Sequence, residues 1–125
     1  MKKILLVDDQ SDIRRMIRIT LGKAFDVLEA EDGHTALEVA RRTQPDLVVL
    51  DVMMPGDLDG LQVLDAIRRD PQLMHTRVIM VTARGQAHDY EDGIGRGADA
   101  YFIKPFSPLD LVAAIKEHTL HVRAA

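Results

Sequence analysis

The chain of 125 residues contains no cysteine. Disulfides and thiolate metal sites are therefore excluded. No apolar run approaches the ~20 residues that a membrane span requires. The opening, MKKILLVDDQ, reaches acidic residues at once and carries no signal-peptide cleavage pattern. A cytoplasmic location without membrane association is the expectation. Positive charge is not in excess either: 16 basic residues face 20 acidic ones, for a net charge of −4. That balance argues against this segment gripping a nucleic-acid backbone by itself. Repeats, low-complexity tracts and linkers are also absent. The histidines at 34, 75, 88, 118 and 121 form no pair at metal-binding spacing and read mostly as solvated surface.

Hydrophobic residues make up 46% of the chain and charged residues 29%, which fits a globular protein. The length suits one domain, residues 1–125. Folding at that size buries roughly two-thirds of the unfolded chain's surface. Short apolar runs alternate with helical patterns along the chain. Ile4 to Val7 reads as a strand, followed by Ile13, Met16, Ile17, Thr20 and Leu21 at helical spacing. FDVLEA (25–30) is a second strand, with Ala36, Leu37 and Ala40 marking the next helix. Leu47 to Leu50 is the third strand, and Val63, Leu64 and Ile67 mark the third helix. Val78 to Val81 is the fourth, with Ala87, Tyr90 and Ile94 in a weak helix after it. Ala100 to Ile103 is the fifth, before Leu111, Val112 and Ile115.

Five βα units predict an α/β fold with a parallel sheet and helices on both faces. The first, third and fourth strands are apolar throughout, as expected when both faces are covered. The second carries Asp26 and Glu29 and the fifth is mixed, which suits sheet edges. The order 2-1-3-4-5 fits, giving a flavodoxin-like doubly wound (βα)5 sandwich.

Ligands of such sheets bind beyond the carboxyl ends of the strands, at the switch point between strands one and three. Strand one ends in Asp8-Asp9, strand three in Asp51, strand four in Thr82-Ala83 and strand five in Lys104-Pro105. Three close carboxylates repel, so one would protonate unless a cation sits among them. Hard oxygen ligands suit Mg²⁺, which would let an anionic phosphoryl group approach. Lys104 supplies a second cation, Thr82 a hydrogen-bond donor and Ala83 room. A carboxylate is a competent phosphoryl nucleophile, so catalysis then rests on positioning and charge neutralisation.

The stretches ILLVDDQ, VVLDVMMPG, VTAR and GADAYFIKPF, in this order, resemble the receiver domain of two-component response regulators over nearly the whole chain. The resemblance implies that Asp51 accepts a phosphoryl group from a phosphohistidine of a sensor histidine kinase or phosphotransfer protein. It implies that Asp9, Asp51 and the backbone carbonyl of Met53 hold Mg²⁺, with Asp8 assisting through water. It implies that Thr82 and Lys104 hold the phosphoryl group, that Tyr101 is an aromatic switch following Thr82, and that the Lys104–Pro105 bond is cis. The expected output is a changed face of the fourth helix, fifth strand and fifth helix, acting on a partner, an effector domain or a second copy. No turnover of a separate substrate is expected, only self-phosphorylation and self-dephosphorylation. With Met53 and Arg84 two residues beyond Asp51 and Thr82, no good general base stands near and dephosphorylation should be slow.

Plainer roles compete at several positions. Ser11 is a fair N-cap for the first helix, Asp59 for the third, and Asp57 reads as solvated. Tyr101 could simply pack an edge strand. The pairs Arg14-Arg15, Arg41-Arg42 and Arg68-Arg69 read as solvated helix faces. Gly93, Gly95 and Gly97 weaken the fourth helix by about 1 kcal/mol each relative to Ala and suit a moving part. One residue more than the family spacing lies between Pro55 and Asp59, which affects the loop path into the third helix. A Mg²⁺-dependent aspartyl-phosphate phosphohydrolase would need a D-x-D pair where this chain has DDQ, or a cap. A flavin-binding module would need a hydroxyl- and glycine-rich loop where DDQSD would repel phosphate.

Overall fold

The computed structural model describes residues 1–83 and 87–120, with backbone only for 87–90. Arg84 and His121 lie outside the described residues, as do the side chains of Ala87, His88 and Tyr90. The elements are β1 (Lys3–Val7), α1 (Ser11–Leu21), β2 (Asp26–Ala30), α2 (Gly33–Thr43), β3 (Leu47–Asp51), α3 (Gly60–Arg69), β4 (Arg77–Thr82), α4 (Ala87–Gly95), β5 (Ala100–Ile103) and α5 (Pro108–Thr119). All neighbouring strands are parallel, in the order β2-β1-β3-β4-β5. The fold expectation and the two edge assignments are met. No helix among the described residues is long and apolar enough to cross a membrane.

The continuous apolar runs have a direct cause. Side chains alternate between the two faces of a strand, and here each face has its own helices. Leu5, Val7, Val48, Leu50, Val78 and Met80 pack with Ala36, Leu37 and Ala40 of α2 and Val63, Leu64 and Ile67 of α3. Ile4, Leu6, Leu47, Val49, Ile79 and Val81 pack with Ile17 and Leu21 of α1 and Leu111, Val112 and Ile115 of α5. Full burial of each large side chain contributes about 1.5–3 kcal/mol. Two closed apolar layers therefore clamp the central strands and hold their ends in place.

Three local expectations are corrected. Ser11 is not the N-cap of α1 but its first residue, and Gln10 holds the cap position in extended conformation. The cause is Asp8, whose Oδ1 accepts from the Gln10 N–H at 2.9 Å and turns the chain one residue early. Arg14 is not solvated: its Nε donates to Glu29 Oε1 at 2.8 Å, and its guanidinium also reaches the Asp8 carbonyl. Arg68 is 12% exposed and donates to the carbonyls of Gly97 (2.9 Å) and Thr76 (2.7 Å) and to Asp99 Oδ2 (3.0 Å).

Asp59 does cap α3, in a reciprocal box. Its Oδ1 accepts from Gln62 N–H at 2.9 Å, and Gln62 Oε1 accepts from Asp59 N–H at 2.9 Å. Asp59→Ala should cost about 1 kcal/mol, read as a lowered thermal midpoint. Asp57→Ala should leave the midpoint unchanged, since Asp57 is exposed and meets only an exposed His34 partner across the loop.

Candidate functional site at the carboxyl rim of the sheet

Strand register assembles the site. Val7 lies beside Leu50, so Asp8, the next residue of β1's path, comes beside Asp51. Asp51 pairs with Val81, and Thr82 with Ile103, so Thr82 and Lys104 follow on the same rim. Asp8, Asp51 and Thr82 are buried, whereas Asp9 is exposed. One oxygen from each of Asp8, Asp9 and Asp51 lies within 4.8 Å of the others. The Lys104 ammonium reaches over this group from β5. It donates to Asp8 Oδ2 at 2.9 Å, to Asp51 Oδ2 at 3.4 Å and to Gln10 Oε1 at 3.4 Å. The Met53 N–H donates to Asp51 Oδ1 at 3.3 Å, and the Met53 side chain is exposed. The Lys104–Pro105 bond is cis.

The electrostatics are those of a poorly compensated anion. Burial, and then the charge of Asp8, push the Asp51 carboxyl up to about 6, against the pull of Lys104 and the Met53 N–H. Partial burial alone would lower the Lys104 ammonium, but its bond to Asp8 and the charges of Asp51 and Asp8 outweigh that and raise it. Three carboxylates against one ammonium leave two negative charges. A hard divalent cation matches both that charge and the all-oxygen donor set.

The raised Asp51 carboxyl has a consequence for stability. Its folded value, about 6, exceeds the ordinary 3.8, so the native state binds more protons between these values and stability falls as pH rises through them. Asp51→Asn should therefore raise the stability of the metal-free protein by about 1–3 kcal/mol above pH 6. The gain should vanish below about pH 3.8, where both states hold the proton. Urea unfolding of both proteins at several pH values in chelator checks this.

Tyr101 stands apart from the acidic rim. It lies beside Met80 on β5, half-buried against the α2/α3-side core, with its ring next to Gly93 of α4. The packing role is therefore real, and the position under α4 is compatible with a switch. The β3–α3 loop touches the rim at Met53 and then turns away toward the start of α2. Asp57 turns outward to His34 (2.7 Å), and Leu58 packs down on Gly33, where an added Cβ would come within 2.6 Å of Leu58 Cβ.

Two residues of the site were not singled out from sequence. Gln10 joins the Lys104 contacts; its signal is a glutamine in an N-cap position that favours Ser, Thr, Asp or Asn. Gly60 lies against the Asp51 backbone: a Cβ there would stand 2.1 Å from the Asp51 carbonyl oxygen. Its only sequence signal is its place just after the capping Asp59.

A doubly wound sheet with an acidic, lysine-paired rim defines a class of phosphorylation-activated switch domains. The family model described as response regulator receiver domain matches residues 4–116, and the chain belongs to that family. It is similar to the phosphate regulon transcriptional regulatory protein PhoB of Klebsiella pneumoniae, 41% identical over 116 residues that make up 92% of this chain and 50% of that protein. PhoB of Escherichia coli (strain K12) is 40% identical over the same length and shares. The chain thus spans about half the length of the curated relatives it matches. Among solved structures, the chemotaxis response regulator CheY4 of Vibrio cholerae superposes with a TM-score of 0.86 at 33% identity, covering 94% of this chain and 98% of that one. The BeF3-activated DrrB receiver domain gives 0.86 at 31% identity, covering 97% and 99%.

Proposed function

We propose that Asp51 is the phosphoacceptor. An oxygen of Asp51 attacks the phosphorus of a phosphohistidine on a sensor histidine kinase or phosphotransfer protein. The N–P bond breaks, the imidazole nitrogen takes back the electron pair, and an acyl phosphate forms on Asp51. The single observation that carries this is the buried Asp51 carboxylate beside Lys104, with Asp8 and Asp9 oxygens within 4.8 Å. Asp9, Asp51 and the Met53 carbonyl would hold Mg²⁺, with Asp8 acting through water; the ion supplies charge neutralisation when bound. Lys104 holds a phosphoryl oxygen, and the buried Thr82 hydroxyl donates to another. Tyr101 then moves with Thr82, and the α4–β5–α5 face changes for a partner, an effector domain or a second copy. The matched relatives are named transcriptional regulators and are about twice as long, which supports an output beyond this segment rather than nucleic-acid binding by it. Residues 1–125 act as one receiver unit in the cytoplasm. Met53 offers no general base beside Asp51, and on the family resemblance self-dephosphorylation runs on the hour scale rather than seconds.

Phosphotransfer profiling tests the reading. Wild type should be labelled by its kinase in Mg²⁺ buffer and Asp51→Ala should not. Gel filtration with and without beryllofluoride reads the dimer, and decay of the label reads the lifetime. A wild type that no kinase and no small phosphodonor labels would refute the assignment.

A further inference from the structure

We infer that Gln10 is a positioning residue for phosphoryl transfer: its side-chain carbonyl holds the Lys104 ammonium over Asp51. The inference rests on the phosphoacceptor reading of Asp51.

An ammonium has three N–H donors. The contacts of Lys104 number three as well: Asp8 Oδ2 at 2.9 Å, Asp51 Oδ2 at 3.4 Å and Gln10 Oε1 at 3.4 Å. The first two acceptors are anionic and belong to the acidic group that a cation would claim. Gln10, itself exposed, is the neutral third, and its side chain makes no other hydrogen bond among the described residues. A lysine carries its charge on a flexible four-carbon stem, so a third acceptor narrows the positions its ammonium can take.

The local structure around Gln10 shows the same bias. It occupies the N-cap of α1, with φ −90° and ψ 108°, and its side chain makes no capping bond. By contrast, Asp32, Asp59 and Ser107 each cap their helices through the side chain. The Gln10 backbone is fixed at both sides, its N–H by Asp8 Oδ1 at 2.9 Å and its carbonyl by the Arg14 N–H at 3.3 Å. The side chain is thus launched from a rigid turn toward Lys104, at the expense of a helix cap. A local rule broken at a site is a mark of function.

Three variants of the full chain separate positioning from structure. Gln10→Met keeps length and removes the acceptor. Gln10→Ser removes the acceptor and restores a favoured cap. Gln10→Glu keeps an acceptor. The readouts are the initial rate of Asp51 labelling by acetyl phosphate, the thermal midpoint, and solvent exchange of the Lys104 ammonium protons by nitrogen-15 NMR. Loss of a hydrogen bond to a charged group predicts labelling slower by about three- to tenfold in Met and Ser. Lys104 proton exchange should be faster in both, with the midpoint unchanged in Met and raised in Ser. Glu should restore the slow Lys104 exchange. Wild-type labelling with unchanged Lys104 exchange in Met and Ser overturns the inference, as does slow labelling that only follows a lowered midpoint. An unlabelled wild type overturns the phosphoacceptor reading instead, and the exchange comparison still decides the Gln10 contact.

Discussion

Replacing Gly60 with alanine should cost about 4 kcal/mol or more, and what remains folded should accept phosphoryl groups more slowly. Overpacking a core by one methylene usually costs about 1–3 kcal/mol, because side chains give way. At Gly60 nothing flexible can give way. The added Cβ would stand 2.1 Å from the Asp51 carbonyl oxygen and 2.7 Å from Val52 Cα, all backbone. The same glycine donates its N–H to the Val52 carbonyl at 2.8 Å, which ties the start of α3 to the end of β3. Either α3 retreats and loses Val63, Leu64 and Ile67 from the core, or the Asp51 backbone moves and misaligns the carboxylate. Against a total stability of about 5–15 kcal/mol the loss is large. Gly56→Ala is the control. Gly56 has φ +92° but open space around its Cβ position, so only backbone strain of about 1–2 kcal/mol is expected. Urea midpoints for the two variants should differ widely. Equal midpoints would mean that α3 can slide freely away from β3.

The second large effect lies at the opposite end of the strands. Asp99, 9% exposed, accepts from three donors: Arg68 Nη2 at 3.0 Å, Arg77 Nη1 at 3.1 Å and the Val78 N–H at 2.8 Å. Arg68 in turn donates to the Gly97 and Thr76 carbonyls. The cluster fastens α3, the start of β4 and the end of α4 remote from Thr82. Asp99→Ala leaves two largely buried guanidinium groups without their shared carboxylate. Removing one partner of such a buried pair costs about 3–5 kcal/mol. Arg68→Met keeps the packing of the stem and should cost a similar amount. The double variant should lose clearly less than the sum, because both changes break one network. Strict additivity in denaturant unfolding would show that the two residues act independently. The cluster thus fastens the turn after α4, at Gly97, to α3 and to the start of β4.

The extra loop residue illustrates how far spacing reaches. Asp51, Met53 and Pro55 stand at the spacing the family resemblance implies, and one residue more than it implies lies before Asp59. Its accommodation depends on Gly33, 25 positions earlier in chain direction yet in contact with Leu58. A hydrophobic side chain in a loop carries no mark of which distant glycine makes room for it.

Legible in the sequence were the α/β class, polar edge strands that the order 2-1-3-4-5 fits, the strand-end residues Asp8, Asp9, Asp51, Thr82 and Lys104, and the Asp59 cap. These follow from periodicity and from what stands at each strand end, both local properties that survive in one dimension. Only the packed chain reveals that the Arg14 and Arg68 side chains are largely buried in ion pairs, that Ser11 yields the cap to Gln10, and that Gly60 lies against the backbone of Asp51. Each of those depends on which atoms meet across the sheet: Lys104 reaches Asp8 and Gln10 over most of the chain's length, and register sets that meeting.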